Sequence, residues 1–165
     1  MRLRIHHYVS AVSIRMPDAN PASEAQSEHI SSLSCRIVGM SGATGAIYGI
    51  RLLQVLGELE EVETHLVMSG PAQKTIALET DYTHGEVAAL ADHVHSNRNI
   101  AAPISSGSFM WDGMVVIPCS IKSLSGIANS YDDNLLTRTA DVTLKERRPL
   151  VLVIHETLYT SDICV

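Results

Sequence analysis

The chain has no basic surplus. Twelve Lys and Arg face eighteen Asp and Glu, a net charge of −6 over 165 residues. That balance excludes a general nucleic-acid-binding role, which needs cations to neutralise backbone phosphates. No apolar run approaches the roughly 20 residues of a membrane span, so no membrane partner is expected. Cysteines are few: Cys35, Cys119 and Cys164 are widely separated, odd in number and without C-x-x-C spacing. They indicate neither a disulfide framework nor a zinc site, and the chain reads as intracellular. There is no internal repeat, and no long low-complexity tract follows residue 34. The remaining composition, 45% apolar, fits one domain long enough to bury a core.

What is present centres on Arg36-Ile-Val-Gly-Met-Ser-Gly-Ala-Thr-Gly-Ala-Ile-Tyr-Gly49, an apolar run, a burst of small residues and a helical pattern. The expected order is strand, tight loop, helix. Glycines at 39, 42 and 45 permit a turn in which backbone N–H groups face a ligand, and the helix N-terminus adds partial positive charge. The spacing is neither the dinucleotide fingerprint nor the P-loop, which ends Gly-Lys-Ser/Thr. It is compatible with a phosphate or nucleotide and equally with a plain glycine-rich βα turn.

Residues 1–34 differ from the rest. Arg2, Arg4 and Arg15 with no acid before Asp18 resemble a mitochondrial transit peptide, and Pro17 to Ser34 is polar, as a linker is. A disordered or targeting segment is therefore expected over 1–34, with a mitochondrial address, the alternative being an untargeted tail and a cytoplasmic protein. From Cys35 short apolar runs alternate with helical stretches, the pattern of an α/β fold with a parallel sheet. Strands are expected at Arg36–Met40, Thr64–Met68, Met114–Pro118 and Leu150–Ile154, and helices at Ala46–Leu59, Pro71–Thr80, Glu86–Leu90, Ile121–Ser130 and Asn134–Arg147. Ile47, Ile50, Leu53 and Leu56 recur at helical spacing and are expected to cover the sheet.

Ligands of open parallel sheets bind beyond the carboxyl ends of the strands. The residues there are Ser41 to Gly45, Ser69-Gly-Pro71, Cys119 to Ser125, and His155-Glu156, rich in hydroxyls and backbone donors that suit an anion. Ser105-Ser-Gly-Ser-Phe109 is a second small loop, by itself a plain turn. Lys145, Arg147 and Arg148 end a helix before Pro149, where cations complement the helix dipole; with Arg138 they also form a cluster able to meet a phosphate. Glu79 is by default a solvated carboxylate, and a general acid/base there would need burial. Cys119 reads as a small apolar residue rather than as a nucleophile with His65 or His155. His93 and His95 share a face if that piece is extended, a possible metal pair, but with no third ligand nearby they read as surface residues.

Six motifs then match one family in order: Ile37 to Leu53, Thr64 to Ser69, Leu78-Glu-Thr-Asp81, Ile104 to Phe109, Ile117-Pro-Cys-Ser120, and Ala140 to Val151. From about Arg36 to Glu156 the chain resembles the flavin prenyltransferases, the UbiX-like proteins whose fungal members were called phenylacrylic acid decarboxylases. The resemblance implies a Rossmann-like (flavodoxin-like) domain over 35–165, assembled as a homo-oligomer, a dodecamer in the family. It implies that reduced FMN accepts a dimethylallyl group from dimethylallyl phosphate at N5 and C6, without a metal, and that a UbiD-type decarboxylase of aromatic or unsaturated acids receives the prenylated product. It puts FMN contacts on Gly42, Ala43, Thr44, Ser69, Ser120, Ile121, Lys122, Ser123 and His155. Dimethylallyl phosphate falls to Ser106, Gly107, Arg138 and Lys145. Thr44, Glu79, Lys145 and Glu156 take catalytic roles, with Glu79 beside the reacting edge of the flavin. Cations at the phosphate would stabilise its departure.

Departures from the family pattern are Thr44 where many relatives have Ser, Gly70 where a Lys is frequent, and His155 in place of Arg, which exchanges a permanent cation for a titrating group. After Glu156 the sequence leaves the pattern and ends. The resemblance then leads to three expectations: a terminal strand and helix missing, an exposed sheet edge, and prenyl transfer weak or absent with FMN affinity kept. Two alternatives accompany it, a catalytically impaired FMN-binding subunit and a flavin-dependent cysteine decarboxylase of the same superfamily.

Overall fold

The structure, a computed structural model, describes residues 10–14 and 34–154. The four expected strands are present as β2 (Ser34–Met40), β3 (Val62–Met68), β5 (Gly113–Cys119) and β6 (Leu150–Ile154). Two more join them, β1 (Ser10–Ile14) and β4 (His93–Ser96), in a single sheet of order β1-β6-β5-β2-β3-β4. β2 to β6 are parallel, and β1 runs antiparallel along β6, from Ser10 opposite Ile154 to Ile14 opposite Leu150.

β1 corrects two expectations. Five residues of the segment expected to be disordered or targeting are a strand, and the outer edge of β6, expected to be exposed, is paired by it. The remainder of 1–34 lies outside the described residues. β4 escaped the sequence reading because its His-Val-His-Ser run is mostly exposed and carries a single apolar residue, Val94.

Helices α1 (Ala46–Gly57), α2 (Gly70–Glu79), α3 (His84–Ala88), α4 (Ile121–Ala128) and α5 (Leu135–Lys145) follow the expected order. α3 starts two residues before the expected Glu86 because Thr83 forms a capping box. Its hydroxyl accepts from the Glu86 N–H at 3.2 Å, and its own N–H donates to Glu86 Oε2 at 2.7 Å. Among the described residues no helix is long and apolar enough to cross a membrane.

Helices on both sides of the sheet divide the core in two. One cluster joins α4, α5 and Trp111 to Cys35 and Ile37, and the other joins α1, α2 and α3 to Val38 and Met40. Alternate residues of β2 thus enter opposite cores, which is why Ile37 to Met40 carry no polar side chain rather than alternating. The buried stripe of α1 is Ala46, Gly49, Ile50 and Leu53; the expected Ile47 is 42% exposed. The stripe turned because Gly49 lies against the sheet: a Cβ there would stand 2.5 Å from the Ile117 carbonyl oxygen and 2.7 Å from Met40 Cε. Full burial of Ile50 and Leu53 contributes about 1.5–3 kcal/mol each.

Helix propensity alone makes Gly49→Ala stabilising by about 1 kcal/mol. The close approach reverses the sign, and a loss of about 1–3 kcal/mol is expected in urea unfolding. A neutral or stabilised variant would refute this packing.

Candidate functional site

The chain runs from β2 outward through β3 to β4, then crosses back to β5 and β6 on the other side of β2. The switch between β2 and β5 opens a crevice beyond the carboxyl ends, as in doubly wound sheets of the Rossmann type. Ser41, only 2% exposed, closes its floor. Its hydroxyl donates to the Pro118 carbonyl at 2.9 Å and accepts from the Ser120 N–H at 2.6 Å, tying the loop after β2 to the loop after β5. The Ile117–Pro118 peptide is cis. Gly42 meets α2 so closely that a Cβ would stand 2.3 Å from Pro71 Cβ, a contact that fixes glycine there.

Above this floor is a cleft of about 840 Å³. The caps of three helices line it: Ser69 accepts from the Ala72 N–H at 3.1 Å, Ser120 from Ser123 at 3.3 Å and Asn134 from Thr137 at 3.2 Å. α2, α4 and α5 therefore bring their positive dipole ends to one space, with Lys122 on the same wall. Helix N-termini so placed favour an anion, against which stands one carboxylate of the lining, Asp133.

α1 differs. Its first turn has no acidic residue of its own, and Glu79 Oε2 accepts from Gly45 and Ala46 N–H at 2.9 and 3.2 Å. A carboxylate of this chain thus already holds two of the backbone donors at the start of α1. Glu79 itself is exposed, caps α1 and is not part of the cleft lining. Gly39 lies inside β2, and of the three glycines only Gly45, with φ 94°, needs the left-handed region.

Of the expected site residues, Gly42, Ser69, Ser120, Ile121, Lys122 and Ser123 line the cleft. Ala43 is buried and Thr44 exposed in the same loop, outside the lining. Ser106, Gly107, Arg138 and Lys145 are not part of the lining, although Arg138 adjoins the lining residue Thr137 in the first turn of α5. Arg138 pairs with Asp132 at 3.0 Å, and Lys145 is exposed at the end of α5 opposite the cleft, beside Glu146 at 3.8 Å. Arg148 donates to the Phe109 and Gly107 carbonyls at 2.9 and 3.1 Å and stacks 4.0 Å over Trp111, so it braces the loop carrying Ser106. His155 and Glu156 lie outside the described residues.

Cys119 is buried, and the His65 ring nitrogens are engaged by His95 and Glu63, so no nucleophile–base pair of Cys119 with His65 is formed.

The flavoprotein family model matches residues 23–164. A solved dodecameric FMN-dependent UbiX-like decarboxylase from Escherichia coli O157:H7 is 57% identical with a TM-score of 0.76, covering 77% of this chain and 69% of that one. The chain belongs to the UbiX-like flavoprotein family. It is similar to flavin prenyltransferase UbiX of Escherichia coli K12, 66% identical over 121 residues, 73% of this chain and 64% of that protein. The chain thus spans somewhat under two thirds of that relative's length. AnUbiX (PadA1), solved in complex with FMN and dimethylallyl pyrophosphate, is 56% identical with a TM-score of 0.68, covering 70% of this chain and 61% of that one.

Sequence reasoning missed Asn97, Asn134, Thr137 and Tyr131, which also line the cleft. Asn97 follows β4 and was hidden with it. Its side-chain and backbone oxygens accept from Leu136 and Leu135 N–H, each at 2.9 Å, joining the β4 edge to the start of α5. Asn134 was legible as the first residue of the expected helix, and its capping role was the available signal.

Ser41→Ala is expected to leave the Ser120 N–H without its acceptor and to cost about 1–3 kcal/mol in chemical unfolding. Ser125→Ala, on the exposed cleft rim, is expected to lie within about 0.5 kcal/mol of the parent chain.

Proposed function

We propose that this chain binds FMN in the cleft and transfers a dimethylallyl group from dimethylallyl phosphate to it. The observation that carries the reading is the convergence of the Ser69, Ser120 and Asn134 caps on one cleft of about 840 Å³. That volume suits a mononucleotide cofactor, and the lining matches its chemistry: N–H donors and Lys122 for a phosphate, and Pro71, Ile121 and Leu136 as apolar surface. Support comes from relatives named for flavin prenyl transfer and from the FMN complex of AnUbiX.

Reduced FMN bound there would supply N5 and C6: an N5–C bond would form as the allylic C–O bond breaks, with phosphate taking the electron pair and the N5 proton, and the alkene would take up a proton and bond to C6, which would lose its own. This chain's residues hold the anions. Ser69, Ser120, Ser123 and Lys122, with the Gly42–Thr44 loop, take the FMN phosphate and ring edge. Glu79 keeps that loop in shape through Gly45 and Ala46. Ser106, Gly107, Arg138 and Lys145 bind dimethylallyl phosphate, and Lys145 stabilises the departing charge. His155 and Glu156, which follow β6 in sequence, are assigned to the flavin and to the reaction by the family resemblance alone.

Since Lys145 stands at the far end of α5 and Arg138, beside the cleft, is paired with Asp132, a neighbouring copy supplies the second group's cation. The protein is accordingly a homo-oligomer, in line with the dodecameric relative. Its product serves a UbiD-type decarboxylase.

Anaerobic incubation with reduced FMN and dimethylallyl phosphate is expected to release flavin one prenyl unit heavier by mass analysis. Unmodified flavin, bound or not, would overturn the transferase reading. Lys122→Glu and Lys145→Ala are each expected to reduce turnover by tenfold or more (about 1.4 kcal/mol per tenfold). Co-expressed as mixed oligomers they should recover part of it. Absence of recovery would place both groups on one chain.

A further inference from the structure

Glu63, His65, His93 and His95 form a second polar cluster that prenyl transfer does not use. Glu63 and His65 are two apart on β3 and so share a face of the sheet; β4 adds His93 directly opposite His65, and His95 two further on. His93, whose own stretch held no third ligand, thereby gains two. His93 Nε2 lies 2.8 Å and His65 Nε2 3.3 Å from the same Glu63 oxygen, and the three ligand atoms lie within 4.8 Å of one another. Tetrahedral zinc with bonds of about 2.0–2.2 Å holds its ligands about 3.3 Å apart, so small rotations of the half-exposed His93 and Glu63 side chains suffice.

His65 is the fixed member. It is 4% exposed, packed edge-on to Phe109 at 5.3 Å between ring centroids. Its Nδ1 lies 2.9 Å from His95 Nε2 with the rings nearly parallel. In the tautomer that donates Nδ1–H to His95, its Nε2 lone pair points among Glu63 and His93. Such an outer partner orients metal-bound histidines.

We propose that Glu63, His65 and His93 bind a divalent transition-metal ion, zinc by donor set, with His95 as the positioning residue and solvent at the open coordination position. Two imidazoles and a carboxylate select zinc over magnesium or calcium, which take all-oxygen shells. The ion pins the edge strand β4 to β3. From His65 to Ser69 at the cleft the strand spans roughly 13 Å, so the ion stands apart from flavin chemistry and takes no part in it.

The test titrates Zn²⁺ into the chelator-stripped full chain against a chromophoric chelator, and records visible spectra with Co²⁺. One site is expected, with four-coordinate Co²⁺ bands. Glu63→Gln and His93→Ala are each expected to weaken it about 100-fold or more and to abolish the bands, while His95→Ala weakens it about 10–100-fold and retains them. His84→Ala, an exposed histidine on α3, serves as control and is expected to bind as the parent does. Circular dichroism confirms that each variant is folded; Glu63→Gln keeps the side-chain volume if His93→Ala does not fold. Unchanged affinity in Glu63→Gln, binding carried by other histidines, or no binding in the parent would each overturn the proposal. All readouts are independent of prenyl transfer.

Discussion

Everything in this fold depends on β2 being buried on both faces. Cys35 and Ile37 point into one core, and Val38 and Met40 into the other. A strand in that position must be apolar at consecutive residues and must hydrogen-bond on both edges, which β3 and β5 provide. Helices are then required on each face, and every βα connection leaves the sheet at the same edge. The site is a consequence of this layering: caps that end one helix's need for hydrogen bonds also converge on a shared crevice. The Ser41 bridge between the loops after β2 and β5 turns two independent connections into one rigid floor.

The electrostatics follow from helix ends rather than from net charge. A chain of charge −6 still presents a cleft that favours anions, because the fields of α2, α4 and α5 act locally and are least screened where water is displaced. α1 is the instructive exception. With Glu79 on its first N–H groups, its dipole is compensated from within, and the loop ahead of it gains definition in place of ligand affinity. A carboxylate that reads from sequence as a catalytic candidate is thus first a capping group.

Much of the fold was legible because it rests on burial. The apolar runs of β2, β3, β5 and β6 and the helical stretches between them announce a two-sided parallel sheet. β4 and β1 were not legible for the same reason. His93–Ser96 is held by backbone pairing to β3 with little apolar signal, and Ser10–Ile14 is placed by a partner, β6, about 140 residues away. Within the site, serine caps at strand ends were readable because their chemistry is local. The grouping of Glu63 with His93 was not, because it depends on strand register across about 30 residues of sequence. The Ile47 error has a similar origin. Periodicity proposes a stripe, but the glycine at position 49, where α1 meets the Ile117 carbonyl, decides which residues actually face the sheet.

On the proposed function, the positions of the cations make one chain an incomplete device. Lys145 sits where the α5 dipole is negative, which stabilises an exposed lysine there, whereas the cleft opens at the helix's positive end. A helix cannot place its stabilising terminal lysine and its anion-binding N-terminus at the same point; eleven residues separate them by about 16 Å. Arg138 and Arg148 are likewise committed, to Asp132 and to the loop at Gly107. In the proposed reading, cations for a second phosphate reach the cleft from another copy, through the C-terminal end of its α5. On that proposal, symmetric assembly reconciles the two requirements, with one kind of anion site at each end of α5.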